Sequence, residues 1–244
     1  MTIGTKSALS GELVDSTLSH VARYRLTMPA VLSRLRQFST AKPREMETLL
    51  NSLTDRSLVA AAPLVQRQRY WHLTALGARR CGVPENYSGP LSEPAKIKAY
   101  AVLQFCCLGD RPRHLLTGAE LGQHFPNLQR PGLPAGYYFD PHGAGSLGLI
   151  RVDAGHTGRW DRVIQSVRED ISSHCNQAGF RKLAQAGRFE ITVLTTFIQK
   201  AQRLTDGFAL HADARRISVR VVAIPELLSF ISSIPRKGVT TNTL

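Results

Sequence analysis

The segment Leu133–Gly155 leaves the fewest options for folding. It runs Leu-Pro-Ala-Gly-Tyr-Tyr-Phe-Asp-Pro-His-Gly-Ala-Gly-Ser-Leu-Gly-Leu-Ile-Arg-Val-Asp-Ala-Gly. Tyr137 to Asp140 and Leu147 to Asp153 have the composition of short strands, and Gly143 and Gly145 between them suit a hairpin loop. Phe189 to Thr196 reads as a buried strand, and Ile217 to Ile224 as another. Helical patterns stand around them. Pro94 to Leu108 carries Ile97, Tyr100, Ala101, Leu103 and Cys107. Trp160 to Cys175 turns Val163, Ile164, Val167 and Ile171 inward and Arg162, Arg168, Glu169 and Asp170 outward. His114 to His124 is expected to be one helix, capped by Thr117 with Glu120 in the capping-box position. Phe180 to Ala186, Ile198 to Leu204 and a segment opened by Pro225 complete the helices. This order predicts an α/β (α+β) domain of three layers.

The first third has a different plan. Leu13 to Tyr24 is amphipathic at helical spacing, a short helix begins with Pro29 in its first turn, and a third spans Pro43 to Asp55. Leu58 to Ala62 and Tyr70 to Thr74 are strands around the basic loop Gln66-Arg67-Gln68-Arg69, and Thr74 caps a further helix ending at Arg80. Three helices and a basic hairpin make a winged helix-turn-helix. In that plan the third helix enters the major groove of DNA and the wing follows neighbouring phosphates. Lys42, Arg44 and Thr48 at the start of the third helix, with Arg67 and Arg69 on the wing, are the expected contacts. Arg34, Arg36 and Arg56 lie on or beside the same elements.

Charge agrees with a polyanionic partner: 31 Lys and Arg oppose 18 Asp and Glu, a net +13. No apolar run reaches membrane-span length, and the N-terminus lacks the layout of a signal peptide, so a cytoplasmic, nucleoid-associated protein is expected. Cys81, Cys106, Cys107 and Cys175 show no metal-binding spacing and are expected to be reduced thiols. No metal or other cofactor is expected. His142 and His156 flank the hairpin, where a solvent-facing role is the simplest.

Several motifs, taken in order, resemble the plasmid replication-relaxation family of bacterial mobile elements. They are the line from Leu49 through Tyr-Trp-His-Leu-Thr-Ala-Leu-Gly at Gly77, then Leu133-Pro134-Ala135-Gly136, Leu149 to Gly155, and Arg188 to Thr196, with Arg203 in the following helix. The resemblance spans roughly Leu13 to Leu228. It implies a winged helix joined to a restriction-endonuclease-like PD-(D/E)xK domain. The division it implies is a winged helix over 1–82, a linker over 83–94, a nuclease-like domain over 95–234 and a disordered tail over 235–244.

That nuclease pattern needs Pro-Asp on one strand and a Glu two residues before the Asp of the next, which hold Mg²⁺ for hydrolysis. Here Ala135 and Arg151 occupy those positions and only Asp153 remains, with Asp140 a carboxylate that can migrate into the role. A guanidinium at the site repels a divalent cation. No catalytic residue is therefore assigned, and Arg151 and Arg159 become candidate contacts to a phosphate backbone. The expectation is a sequence-specific transcription regulator of a mobile element, binding double-stranded DNA as a homodimer. The alternatives are an accessory DNA-binding factor in plasmid replication or conjugative mobilisation and a metal-dependent nickase with displaced ligands; a relaxase, an initiator or the transcription machinery are the protein partners expected.

Overall fold

The computed structural model describes residues 11–35, 38, 41–128, 135–153, 155, 160–211 and 216–232. In the N-terminal third, α1 (Gly11–Tyr24) buries Val14, Leu18, Val21 and Ala22. It is followed by α2 (Pro29–Leu32) and α3 (Pro43–Asp55). Pro43 sits in the first turn of α3, where a missing N–H has no consequence, and the Glu45 carboxylate accepts the Lys42 main-chain N–H at 2.9 Å. Met46, Leu49, Leu50 and Leu53 turn inward against Val14, Leu18, Leu32, Trp71 and Leu73.

β1 (Val59–Pro63) and β2 (Arg69–Leu73) form an antiparallel hairpin, registered from Val59↔Leu73 to Pro63↔Arg69. Thr27 adds an antiparallel bridge to Trp71, with both main-chain hydrogen bonds at 3.0 Å. The Leu-Thr-x-x-Gly corner closes the unit. The Thr74 hydroxyl donates to the Ser57 carbonyl at 2.5 Å and accepts the Gly77 N–H at 3.1 Å, opening α4 (Ala75–Arg80). A Cβ on Gly77 would stand 2.0 Å from the Leu58 carbonyl oxygen, so only glycine permits this approach.

The stretch 83–94 is bound down rather than loose. Gly89 N–H donates to Leu73 O at 2.9 Å and Leu91 N–H to the Tyr70 hydroxyl at 2.8 Å. α5 (Glu93–Leu103) then ends in a π-helical turn, Gln104–Leu108. His114 and Leu115 correct the expected single helix. They form β3 (His114–Leu115), and α6 (Gly118–His124) starts only after the Thr117 cap, because Glu120 bonds back to the Thr117 N–H and hydroxyl there.

β4 (Tyr137–Asp140), β5 (Ser146–Asp153), β6 (Phe189–Thr195) and β7 (Ser218–Ala223) join β3 in one mixed sheet of order β3-β4-β5-β6-β7. The pairs β3–β4 and β4–β5 are antiparallel, while β5–β6 and β6–β7 are parallel. Strand alternation divides the side chains between two faces. Tyr137, Leu147, Leu149, Ile191 and Val193 pack under α7 (Trp160–Cys175), α8 (Ala178–Gln185) and α9 (Ile198–Ala209) through Val167, Ile171, Phe180, Leu204 and Phe208. Tyr138, Ile150 and Leu194 pack on the other face with Ile97, Tyr100, Leu103, Leu227 and Phe230, the last of these on α10 (Leu228–Ser232). The fold is thus mixed α/β, with helices on both sides of the sheet. The same apolar cluster includes Tyr24, Leu26, Leu64, Val65 and Tyr70 from the N-terminal third, so one core spans both parts.

Tyr138 is the keystone of that face. It stands opposite Gly148, and its hydroxyl reaches past β5 to Thr192 at 2.8 Å and to Glu190 on β6. A Cβ on Gly148 would come within 2.1 Å of the Tyr138 ring. Gly148→Ala is therefore expected to destabilise the fold by about 3 kcal/mol. Urea denaturation should show a lowered midpoint with an unchanged slope.

Candidate nucleic-acid interface

On α3 the spacing that buries Met46, Leu49, Leu50 and Leu53 leaves Arg44, Glu47, Thr48 and Asn51 exposed along the opposite face. Lys42 is exposed just before the helix, and the Thr48 hydroxyl donates to the Arg44 carbonyl at 3.0 Å. Arg56 is exposed at the far end. These are side chains able to meet base edges: guanidinium to guanine, amide to adenine, carboxylate to cytosine. On the hairpin, Arg67 and Arg69 are exposed and Gln66 adopts φ 53° at the turn. The Arg69 guanidinium lies 5.8 Å from the Trp71 ring centre, and Trp71 itself is core. Leu64 and Val65, just before the turn, are buried against the α5 side of the molecule, and Lys96 Nζ donates to Pro63 O at 3.4 Å. One flank of the hairpin is thus docked while the arginines stay free. Arg34 is exposed apart from this face, in the wall of a cleft beside α1, whereas Arg36 and Arg159 lie outside the described residues.

The β4–β5 hairpin brings Ala135, Arg151 and Asp153 to one end of the sheet. The Gly136 carbonyl accepts the Ile150 N–H at 2.9 Å, which sets exposed Ala135 beside that end of β5. Neither remaining charge is available there. Both guanidinium arms of Arg151 engage the Asp170 carboxylate, and Lys200 Nζ lies 2.5 Å from Asp153 Oδ2 and donates to Gly155 O at 3.0 Å. Asp170 is therefore not on the outward face of α7. Its carboxyl is mostly buried on Arg151, whose guanidinium draws it toward the sheet. Asp140 cannot migrate into a metal site with Asp153. It pairs with Ser146 at the opposite end of β5, seven residues from Asp153, or about 23 Å away. Nor is it free, since Arg111 binds it at 2.7 Å and Arg113 at 3.4 Å, and it accepts the His142 N–H at 3.1 Å.

These residues do not fit a divalent cation. No group of three or more potential ligands exists among the described residues. Arg203, expected to serve the nuclease-like arrangement, lies with its guanidinium 5.1 Å from the Trp160 ring centre. His156 lies outside the described residues, while His142 is exposed beside the cleft. Lys200, Arg111 and Arg113 were not singled out by the sequence, which named Asp170 only as an outward helix residue and Glu120 only as a capping-box residue. A signal existed for two of them in the charged run Gly-Asp-Arg-Pro-Arg-His following α5.

Glu120 ties the two parts together. Arg23 on α1 binds both its oxygens, at 2.5 and 2.7 Å, and also the Leu115 carbonyl at 2.5 Å. Hydrogen bonding from Arg23 holds the Glu120 carboxyl well below the usual carboxylate range. One turn before Arg23, burial, reinforced by the Arg23 charge, lowers the His20 imidazole to about 3. His174 is also lowered by burial. It lies between the Tyr137 hydroxyl at 2.7 Å from Nε2 and the Asp170 carbonyl at 2.6 Å from Nδ1, so Nδ1 carries the proton. Burial raises the Cys106 thiol well above its ordinary value and pushes Cys107 up to about 11, leaving both as protonated, unreactive thiols at neutral pH. No helix among the described residues is long and apolar enough to cross a membrane.

The lowered values of Glu120, His20 and His174 all weaken the fold in acid. A histidine depressed in the native state contributes stability that is intact above its unfolded value and lost as pH falls through the folded one. His20 alone is expected to remove on the order of 3 kcal/mol between pH 6.5 and pH 4, and Glu120 adds its loss below the ordinary carboxylate range. Urea midpoints should be flat above pH 7 and fall below 6.5. His20→Leu should flatten the upper part of that decline.

No family model, no curated protein and no solved structure matches the chain.

Proposed function

We propose that this chain is a double-stranded DNA-binding regulator of a bacterial mobile element. Its first four helices and hairpin form a winged helix, and its sheet domain is a nuclease-like scaffold that no longer cuts. The observation that carries this reading is the outward face of α3. Arg44, Thr48 and Asn51 stand exposed there, with Lys42 before them and Arg67 and Arg69 on the neighbouring hairpin. A helix that only held a dimer together would present apolar residues there; this one presents groups suited to base edges and phosphates. The net charge of +13 supplies the long-range attraction. Arg151 then serves the scaffold through Asp170, and DNA contact falls to the N-terminal elements. A two-fold dimer reading two half-sites is the natural assembly for such a module.

The test is DNA binding by fluorescence anisotropy across a salt series, on a site selected from random duplexes. Replacing Arg67 and Arg69 together by Ala should weaken binding to all sequences alike and flatten the salt dependence by about two units of slope. Arg44→Ala should cost about 1–3 kcal/mol and relax preference at one position. Unchanged affinity in a variant lacking Lys42, Arg44, Arg67 and Arg69 would overturn the assignment. Supercoiled DNA should remain uncut with Mg²⁺ or Mn²⁺. Mapping bound sites to promoters, rather than to an origin, distinguishes a regulator from a replication or mobilisation factor.

A further inference from the structure

A cleft of about 1230 Å³ opens between α1 and the loop joining α5 to β3, with the β4–β5 hairpin loop at one side. It is large enough for a ligand well beyond a single ion, since sites for drug-sized molecules occupy roughly 300–1,000 Å³. Its two walls come from the two parts of the chain. Arg23 and Arg34 stand on the N-terminal wall, and Arg111, Arg113 and His142 on the other.

These cations differ in what already holds them. Arg23 is bound to Glu120, and Arg113 is fully buried between Asp110 and Asp140 with its guanidinium 4.2 Å from the Phe105 ring centre. Arg111 binds Asp140 but keeps 37% of its side chain exposed. The side chains of Arg34 and His142 are exposed, and neither has a hydrogen-bond or ion-pair partner among the described residues. Of the acidic residues in the walls, Asp15 is engaged by Arg80 and Asp110 by Arg113 and Arg220, while Glu12 stands exposed on α1 at the rim. Two rings complete the lining, Tyr24, which is buried, on one side and the half-buried Phe139, stacked on His124 at 5.9 Å, on the other.

Guanidinium groups approaching from two walls suit a tetrahedral oxyanion with several acceptor oxygens, and the half-buried Phe139 ring suits contact with a planar heterocycle. We propose that the cleft binds a small phosphate-bearing ligand of nucleotide size, its phosphates held by Arg34 and Arg111 and its ring set against Phe139. This site lies apart from the exposed face of α3 and does not rest on the DNA-binding reading. Arg23, bound to Glu120 across the two parts, stands in the same wall, so an occupied cleft bears on the clasp between α1 and α6.

The experiment is calorimetric titration of the full chain, without DNA, using inorganic pyrophosphate and ATP as probes. Saturable binding of ATP is expected, with pyrophosphate weaker by the contribution of the ring contact. Arg34→Glu should weaken both by about tenfold or more, the loss of one charge-assisted contact. Arg34 is exposed and its side chain has no partner among the described residues, so this variant should keep the wild-type melting temperature. His142→Ala should weaken binding severalfold, while Arg162→Ala on exposed α7 should not, which separates the cleft from general surface charge. Absence of saturable binding at millimolar probe would overturn the proposal, as would equal affinity in the wild type and Arg34→Glu. If Arg34→Glu weakens a DNA duplex but neither small probe, the cleft is a DNA contact and the proposal also fails.

Discussion

The stack from Gly148 to Arg113 holds the architecture in place. A bare glycine in β5 lets the Tyr138 ring lie over the strand and reach Glu190 and Thr192 on the next one. Phe105 meets that ring edge-on at 5.1 Å, and the Arg113 guanidinium covers Phe105 at 4.2 Å. Arg113 in turn engages Asp140 at the end of β4. Three strands, the π-helical turn and the loop after it are thus fixed through one column of contacts. A buried guanidinium over an aromatic ring is favourable only because its charge is also met by carboxylates, here Asp110 and Asp140.

The same pairing of charge closes the far end of β5. Arg151 and Lys200 face Asp170 and Asp153 in two closed pairs. A metal ion would have to displace both cations and leave them partly buried without partners, which is far more costly than leaving a surface ion pair unmade. Ala135 offers no replacement ligand. The charges at this end of the sheet instead hold it to two helices, through Asp170 on α7 and Lys200 on α9.

Most elements were legible because their signals are local. The third helix, Pro43–Asp55, and the long helix Trp160–Cys175 match their sequence periodicity end to end, and Thr74 and Thr117 cap the helices their spacing implied. Misreadings arose where a tertiary partner overrode the pattern. His114 and Leu115 are polar and apolar residues beside a helix, yet they pair with Phe139 and Tyr138 and become a strand. Asp170 sits on the polar side of a helical wheel, yet Arg151 turns it inward. Lys200 is 6% exposed only because Asp153 stands at the end of the neighbouring strand. The exposed residues of α3 follow from its buried ones. The cleft does not, because its walls are 70 or more residues apart in the chain.

That separation is bridged by packing and by one ion pair. Leu64 and Val65 bury one flank of the hairpin in the core that also holds Ile97, Tyr100 and Ile150, while Arg23 is bound through Glu120 to the first turn of α6. Here Tyr70 and Leu73 fix the connecting stretch as well, through Leu91 and Gly89. The angle between α3 and the hairpin arginines is therefore set partly by the sheet domain. A shift of α1 against α6 would move α3 and the hairpin together rather than one loop of them, because packed cores rearrange as units.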